Sequence, residues 1–263
     1  MAEAVDPPFD RPDAGFNSLS GWSWIGCYGG YYLQADLLAA FEHGFFTRLW
    51  HGRGPDVLAA YLSAGVSVHR PQQVHSHAVL AASEANQEPW PEADGLVSDA
   101  GGQSLWVCGA DCTPVLIADR RSGRVAACHA GWRGVAGRIL AVALEQLQQQ
   151  GCRRDDLLIA LGPAIAGANY QVEQPVITAL ANSLSHGGEE ALLEHGVIDA
   201  EADGRHWRLD IRAAAQLQLQ QLGISEAQIS SCPLCTWQET QLFHSWRRDQ
   251  RKAVQWSGIV SQG

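Results

Sequence analysis

The sequence predicts a mixed α/β or α+β fold. Three features carry that prediction: short apolar runs of strand length bounded by turn residues, longer segments with helical spacing, and an irregular interleaving of the two with no internal repeat. With 46% hydrophobic and 17% charged residues, a chain of 263 residues can bury a large core. One domain is expected over residues 21–263, behind a flexible leader at 1–20 that is rich in Pro, Asp, Gly and Ser.

Taken in order, Trp22 to Gln34 mixes aromatics around Gly29-Gly30 and predicts two strands joined by a tight turn. Phe45-Phe46-Thr47-Arg48 restores strand composition, which places Arg48 near a strand end. A helix is expected from Asp56 to about Ala64, then strands through Ser67-Val68 and from about Val74 to Leu80. The most legible stretch follows: strands at Leu105 to Cys108, Pro114 to Ala118 and Val125 to Cys128, then a break at Gly131 to Gly134. From Val135, apolar residues recur at helical spacing through Leu147 until Gly151 ends the element. Leu157 to Leu161 reads as a buried strand stopped by Gly162-Pro163. Helices are expected from about Pro175 to Ser183 and from Leu209 to Leu222, closed by Gly223, and the aromatic-rich tail Leu242 to Val260 suggests late strands.

A formal net charge of −10 argues against a nucleic-acid partner, since phosphate binding needs clustered Lys and Arg. The first residues lack the basic start and apolar run of a secretory signal, and no segment approaches membrane-spanning length, so a cytoplasmic protein without a membrane partner is expected. Seven cysteines at irregular spacing then read as reduced thiols, most of them small buried groups.

Some of those thiols sit where chemistry collects. Cys112 and His129 each close an apolar strand, and such strand-to-loop edges gather active sites. His75 adds an imidazole from another predicted strand, and His77 would share its face. Two His and one Cys suit zinc, with a fourth position open to water or a ligand, although each taken singly is as readily a satisfied core residue. In His129-Ala130-Gly131-Trp132-Arg133-Gly134 a strand-end histidine meets a small-residue turn and a helix start, where amide hydrogens attract anions. Arg133 or Arg48 could reinforce that pocket, or Arg133 could merely pair with a surface carboxylate. Asp94, Asp111 and Asp210 are candidates for orienting a His ligand or relaying protons, with a capping role as the alternative. Cys232-Pro233-Leu234-Cys235 lacks a second Cys-x-x-Cys and reads as structural.

Several of these segments together resemble the YfiH-like, or laccase-domain, family. They are His43-Gly44-Phe45-Phe46-Thr47-Arg48, Gln73-Val74-His75, Ala93-Asp94-Gly95, Ala110-Asp111-Cys112-Thr113-Pro114, the His129–Gly134 segment, Gly162-Pro163-Ala164-Ile165, Leu209-Asp210 and Cys235-Thr236. The tail Phe243-His244-Ser245-Trp246-Arg247-Arg248 is similar to the family's Ser-Tyr-Arg-Arg ending. The resemblance implies a single-domain mixed-sheet fold with helices packed on layered sheets. It also implies zinc, held by His75, Cys112 and His129, with Arg48 as oxyanion contact, although an older label of the family is copper oxidase.

Phosphorolysis of purine nucleosides and deamination of adenosine are the implied activities, with Arg133 and Gly131 joining Arg48 around phosphate and Asp111 and Asp210 behind the ligands. This sequence departs from the family where an Asn-Leu-Gly segment is missing from Leu49 to Leu62, and where Tyr170-Gln171-Val172 replaces Tyr-Glu-Val. Three rival readings are a Cys112 hydrolase of peptidoglycan precursors with a histidine base, a copper polyphenol oxidase, and a non-catalytic zinc module closed by His77. Ten histidines with one His-x-His pair are a poor supply for several coppers.

Overall fold

The computed structural model describes residues 18–27, 30–184, 188–202 and 205–263. Most of the expected leader, and Tyr28 and Gly29 of the first turn, lie outside them. In chain order the first strands are β1 (Trp22–Cys27), β2 (Gly30–Ala35), β3 (His43–Phe46), β4 (Ser67–His69) and β5 (Val79–Ala81). Next come β6 (Gly95–Val97), β7 (Gln103–Gly109), β8 (Thr113–Asp119), β9 (Val125–Ala130) and β10 (Leu157–Leu161). The last are β11 (Gln171–Glu173), β12 (Ile198–Ala200), β13 (His206–Leu209), β14 (Ile229–Ser231) and β15 (Gln255–Val260). The helices are α1 (Pro55–Leu62), α2 (Trp132–Ala136), α3 (Ile139–Gln149), α4 (Gln174–Leu184), α5 (Gly188–Glu194), α6 (Ile211–Gln221) and α7 (Trp246–Asp249).

Two six-stranded sheets form the centre, in the orders β1-β2-β3-β15-β7-β4 and β14-β10-β8-β9-β6-β5, with a small third sheet β11-β13-β12. The large sheets face each other through Leu33, Phe45, Leu105, Val107 and Ile259 on one side and Leu96, Leu116, Ala118, Ala127 and Ala160 on the other. The second sheet's outer face, Val115, Ile117, Ala126 and Cys128, is covered by Ile139, Leu140, Ala143, Ile177, Leu180 and Ala215 from α3, α4 and α6. On the outer face of the first sheet, α1 lays Leu58 and Ala59 over Tyr32, Phe46 and Trp106. This layering explains why β8 reads as a continuous apolar run: Val115 and Ile117 serve one core, Leu116 and Ala118 the other. Truncating such a residue to Ala costs about 2–5 kcal/mol.

Four expectations need correction. The helix predicted from Val135 is two helices, because Arg138 takes a left-handed conformation (φ 65°) between α2 and α3. The helix expected from Leu209 begins at Ile211, where the Asp210 carboxylate accepts from the N–H groups of Arg212 and Ala213. The tail forms one strand, β15, preceded by α7 and loops. Lastly, the strand expected from Val74 is confined to Val79–Ala81, so His75 lies on a turn.

Candidate metal centre and cavity

Sheet register builds the site. In the β8–β9 ladder Thr113 pairs with Ala130 and Pro114 with His129, so Cys112, just before β8, comes up beside Gly131, just after β9. In the β6–β9 ladder Gly95 pairs with Cys128, which puts Asp94 next to His129. The His129 N–H then donates to the Asp94 carbonyl at 2.7 Å. Three residues distant in sequence therefore meet at one sheet edge.

Asp94 is fully buried and gathers the rest. Its carboxylate accepts from the N–H groups of Val74 (3.1 Å), His75 (3.0 Å) and Ser76 (2.6 Å), and from the Ser76 hydroxyl (2.9 Å). His129 Nδ1 lies 2.9 Å from Asp94 Oδ1. A carboxylate only accepts, so Nδ1 carries the hydrogen and Nε2 is turned toward the site. Burial works against the ionised Asp94, yet its bonds to His129 and Ser76 hold it below the usual carboxylate range. The same turn is clamped to β7 by Gln73, whose amide donates to the Cys108 carbonyl and accepts from its N–H, both at 2.7 Å.

His75, Cys112 and His129 offer donor atoms that all lie within 4.8 Å of one another. The two imidazoles stand edge to face at 5.0 Å between ring centroids. A Cβ at Gly131 would sit 2.9 Å from Cys112 Sγ, so only glycine lets the backbone close over the thiol. His75 (φ 58°) and Asp111 (φ 94°), beside Cys112, are both left-handed non-glycine residues, and such strain clusters at functional sites. Burial pushes the Cys112 thiol up, but the charge of His129 and hydrogen bonds from His129 and His75 outweigh it and lower it. Cys128, buried one residue before His129 without such partners, is pushed up to about 12. One thiol and two imidazoles around a glycine cradle suit a borderline-soft metal ion. Among the described residues no other group of three or more His, Cys, Asp or Glu is poised this way.

The centre opens into a cavity of about 640 Å³. Gly131, Arg133 and Asp111 line it, Asp111 on the wall rather than behind the His ligands, and so do Tyr170, Trp246, Arg247, Arg251 and Lys252, which the sequence reading did not single out. Arg133 lies over the Trp132 ring at 4.3 Å and Arg247 over Tyr170 at 4.9 Å. Among the described residues, Asp111 is the only carboxylate in the lining. It is already engaged, accepting from Thr236 Oγ1 (2.7 Å), Ser245 Oγ (3.0 Å) and the Arg247 N–H (2.7 Å). The Arg247-Arg248 pair of the tail was the one sequence signal for this wall.

Three expected site residues lie elsewhere. Arg48 is absent from the lining; its guanidinium donates to the Thr240 carbonyl at 2.6 Å, so it pins the tail outside the cavity. Asp210 is spent as the α6 cap. His77 packs on the α2–α3 break, where a Cβ at Gly137 would lie 2.7 Å from its Nδ1, and it does not join the triad.

Two layered sheets with a three-donor edge centre and a cation-lined cavity define a protein that handles small ligands. The chain belongs to the family described as multi-copper polyphenol oxidoreductase laccase, which its residues 56–261 match. It is similar to a purine nucleoside phosphorylase of Synechocystis sp., 42% identical over 256 residues that cover 91% of this chain and 97% of that one. A purine nucleoside phosphorylase of Mycobacterium tuberculosis is 36% identical over 177 residues, 67% of this chain and 65% of that one. The solved structure of YlmD from Geobacillus stearothermophilus aligns with a TM-score of 0.80 at 25% identity, covering 91% of this chain and 99% of that one. YfiH of Bacillus licheniformis aligns at 0.78 and 24% identity over the same shares, a likeness of fold. No helix of the described residues is long and apolar enough to cross a membrane.

Proposed function

We propose that the chain is a zinc-dependent purine nucleoside phosphorylase. The observation that carries this reading is the make-up of one cavity. Arg133, Arg247, Arg251 and Lys252 line it, none of them ion-paired among the described residues, in a protein of net charge −10. Tyr170, Ile165, Ile211 and Trp246 add an apolar wall beside the His75–Cys112–His129 centre. A nucleoside and an inorganic phosphate match those two kinds of surface. The names of the relatives point the same way.

In phosphorolysis a phosphate oxygen forms a bond to the sugar C1′ as the bond from C1′ to the purine nitrogen breaks. The purine leaves as the free base once a proton reaches it, and the sugar leaves as its 1-phosphate. The cationic wall, with Arg247 in it, would hold phosphate for approach. Asp94 would keep His129 in one tautomer and one orientation. Zinc held by the triad would supply Lewis acidity toward a substrate oxygen. The same cavity would serve deamination of adenosine, in which water replaces the amino group at C6 and ammonia leaves.

One arrangement favours a second reading: Cys112, His129 and Asp94 stand in line as nucleophile, base and orienting carboxylate do in a cysteine hydrolase. That chemistry needs one of the two imidazoles as base and leaves the other without a role. The deciding experiment measures metal by mass spectrometry and release of base from inosine and adenosine, with and without phosphate. Near-stoichiometric zinc and phosphate-dependent release are expected, both lost in Cys112→Ala, with Arg247→Ala raising the KM for phosphate about tenfold or more. Metal-free protein with an alkylatable Cys112 and no action on nucleosides would overturn the proposal and support the hydrolase.

A further inference from the structure

The largest exposed side chain at the cavity is Trp246, 51% accessible and part of the lining. Leaving a large apolar ring half in water at the mouth of a cavity forgoes burial that a ligand could restore. The backbone that carries it is tied down. Ser245 and Arg247, on either side of it, are both bonded to the buried carboxylate of Asp111. Ser245 Oγ also accepts from the Arg248 N–H and caps α7. Asp111 in turn adjoins Cys112 on the connection from β7 to β8. The indole is thus carried on a backbone fixed relative to the triad, with Val254, itself 39% exposed, on the same cavity wall.

We infer that Trp246 is the stacking platform for the purine ring, held at a set distance from the metal centre by Asp111. This rests on the phosphorylase reading for the identity of the ring. A flat aromatic surface beside cations suits a planar, electron-rich heterocycle, because every base offers a π-face and stacking does not depend on the exocyclic groups. The platform would therefore accept hypoxanthine, adenine and guanine alike, and leave discrimination to other contacts.

Trp237 supplies an internal control, since it is 38% exposed but lines no part of this cavity. The experiment is equilibrium binding of hypoxanthine to the metal-loaded protein by calorimetry, alongside steady-state kinetics with inosine and phosphate. Trp246→Ala is expected to weaken hypoxanthine binding and raise the KM for inosine about tenfold. Metal content and the KM for phosphate should not change. Trp246→Phe should recover most of the loss, and Trp237→Ala should match the parent protein. Hypoxanthine binding that is absent from the parent, or equal in Trp246→Ala and the parent, overturns the platform. If no nucleoside is turned over but hypoxanthine binds and is lost with Trp246, the platform stands and the phosphorylase reading falls.

Discussion

His43 and His129 occupy matching places, one opening β3 and the other next to last in β9, both buried. Their partners separate them. Both ring nitrogens of His43 are consumed by backbone: Nδ1 on the Phe41 carbonyl at 2.8 Å, and Nε2 accepting from the Ala35 N–H at 2.9 Å. That ring is a latch between two strands of the first sheet. His129 gives Nδ1 to a buried carboxylate, and its other nitrogen is turned to the Cys112 thiol. Burial dominates at His43 and lowers its affinity for a proton. At His129 burial also acts downward, but the charges of Cys112 and Asp94 overcome it and raise it. A strand-end histidine becomes a site when one nitrogen is anchored by a carboxylate and the other meets a reactive side chain instead of backbone.

The sharpest way to break this contrast is to remove the anchor. Asp94→Ala leaves the amides of residues 74–76 and His129 Nδ1 without their acceptor. Metal affinity should fall about 10- to 100-fold in a chelator competition. Stability to denaturant should fall by roughly 3–5 kcal/mol. Retained metal affinity would show that His129 does not need its carboxylate. Next, Gly131→Ala forces a methyl against Cys112 Sγ while leaving the core untouched. Metal binding should weaken by about tenfold, equivalent to about 1.4 kcal/mol, with an unchanged thermal midpoint for the metal-free protein.

The smallest expected effect tests the latch. The folded-state value of His43 lies below its unfolded value near 6.5, so the unfolded chain binds more protons in acid. The stability involved is complete above that value and is lost as pH falls from there toward the folded value. At pH 5.5 the loss is at most about 1.4 kcal/mol. His43→Gln should flatten that part of the stability profile, measured by denaturant midpoints from pH 7 to 5.5. The flattening will be partial, because His69 and His244 are also lowered by burial and titrate with the same sign. Metal content should not change.

Where the sequence was legible, local pattern and tertiary outcome agreed. The β7, β8 and β9 runs were readable because apolar residues packed on both faces leave few alternatives, and they carried Cys112 and His129 to an edge. The turn at His75 was not readable. Gln73 to Leu80 can pass for a strand, and what unmakes it is a carboxylate about twenty residues on that takes three successive amides. The cavity's second wall was harder still. Trp246 and Arg247 reach the site through Asp111, across sequence separations of 134 and 136 residues for the two bonds that flank the indole. Arg48 illustrates the converse: its motif placed it near the site, but its bond to a carbonyl of that same distant tail could not be read from sequence.

The position of β15, between β3 and β7 in the first sheet, also governs when the protein can work. A chain emerging from a ribosome holds β3 and β7 as two open edges until residues 255–260 are made, and non-local pairing of that kind is slow and exposed to aggregation. Trp246, Arg247 and Lys252 come immediately before that strand. Closing the sheet and completing the cavity are therefore one late event. An unfinished chain can own His75, Cys112 and His129 and still lack a wall for anything to bind against.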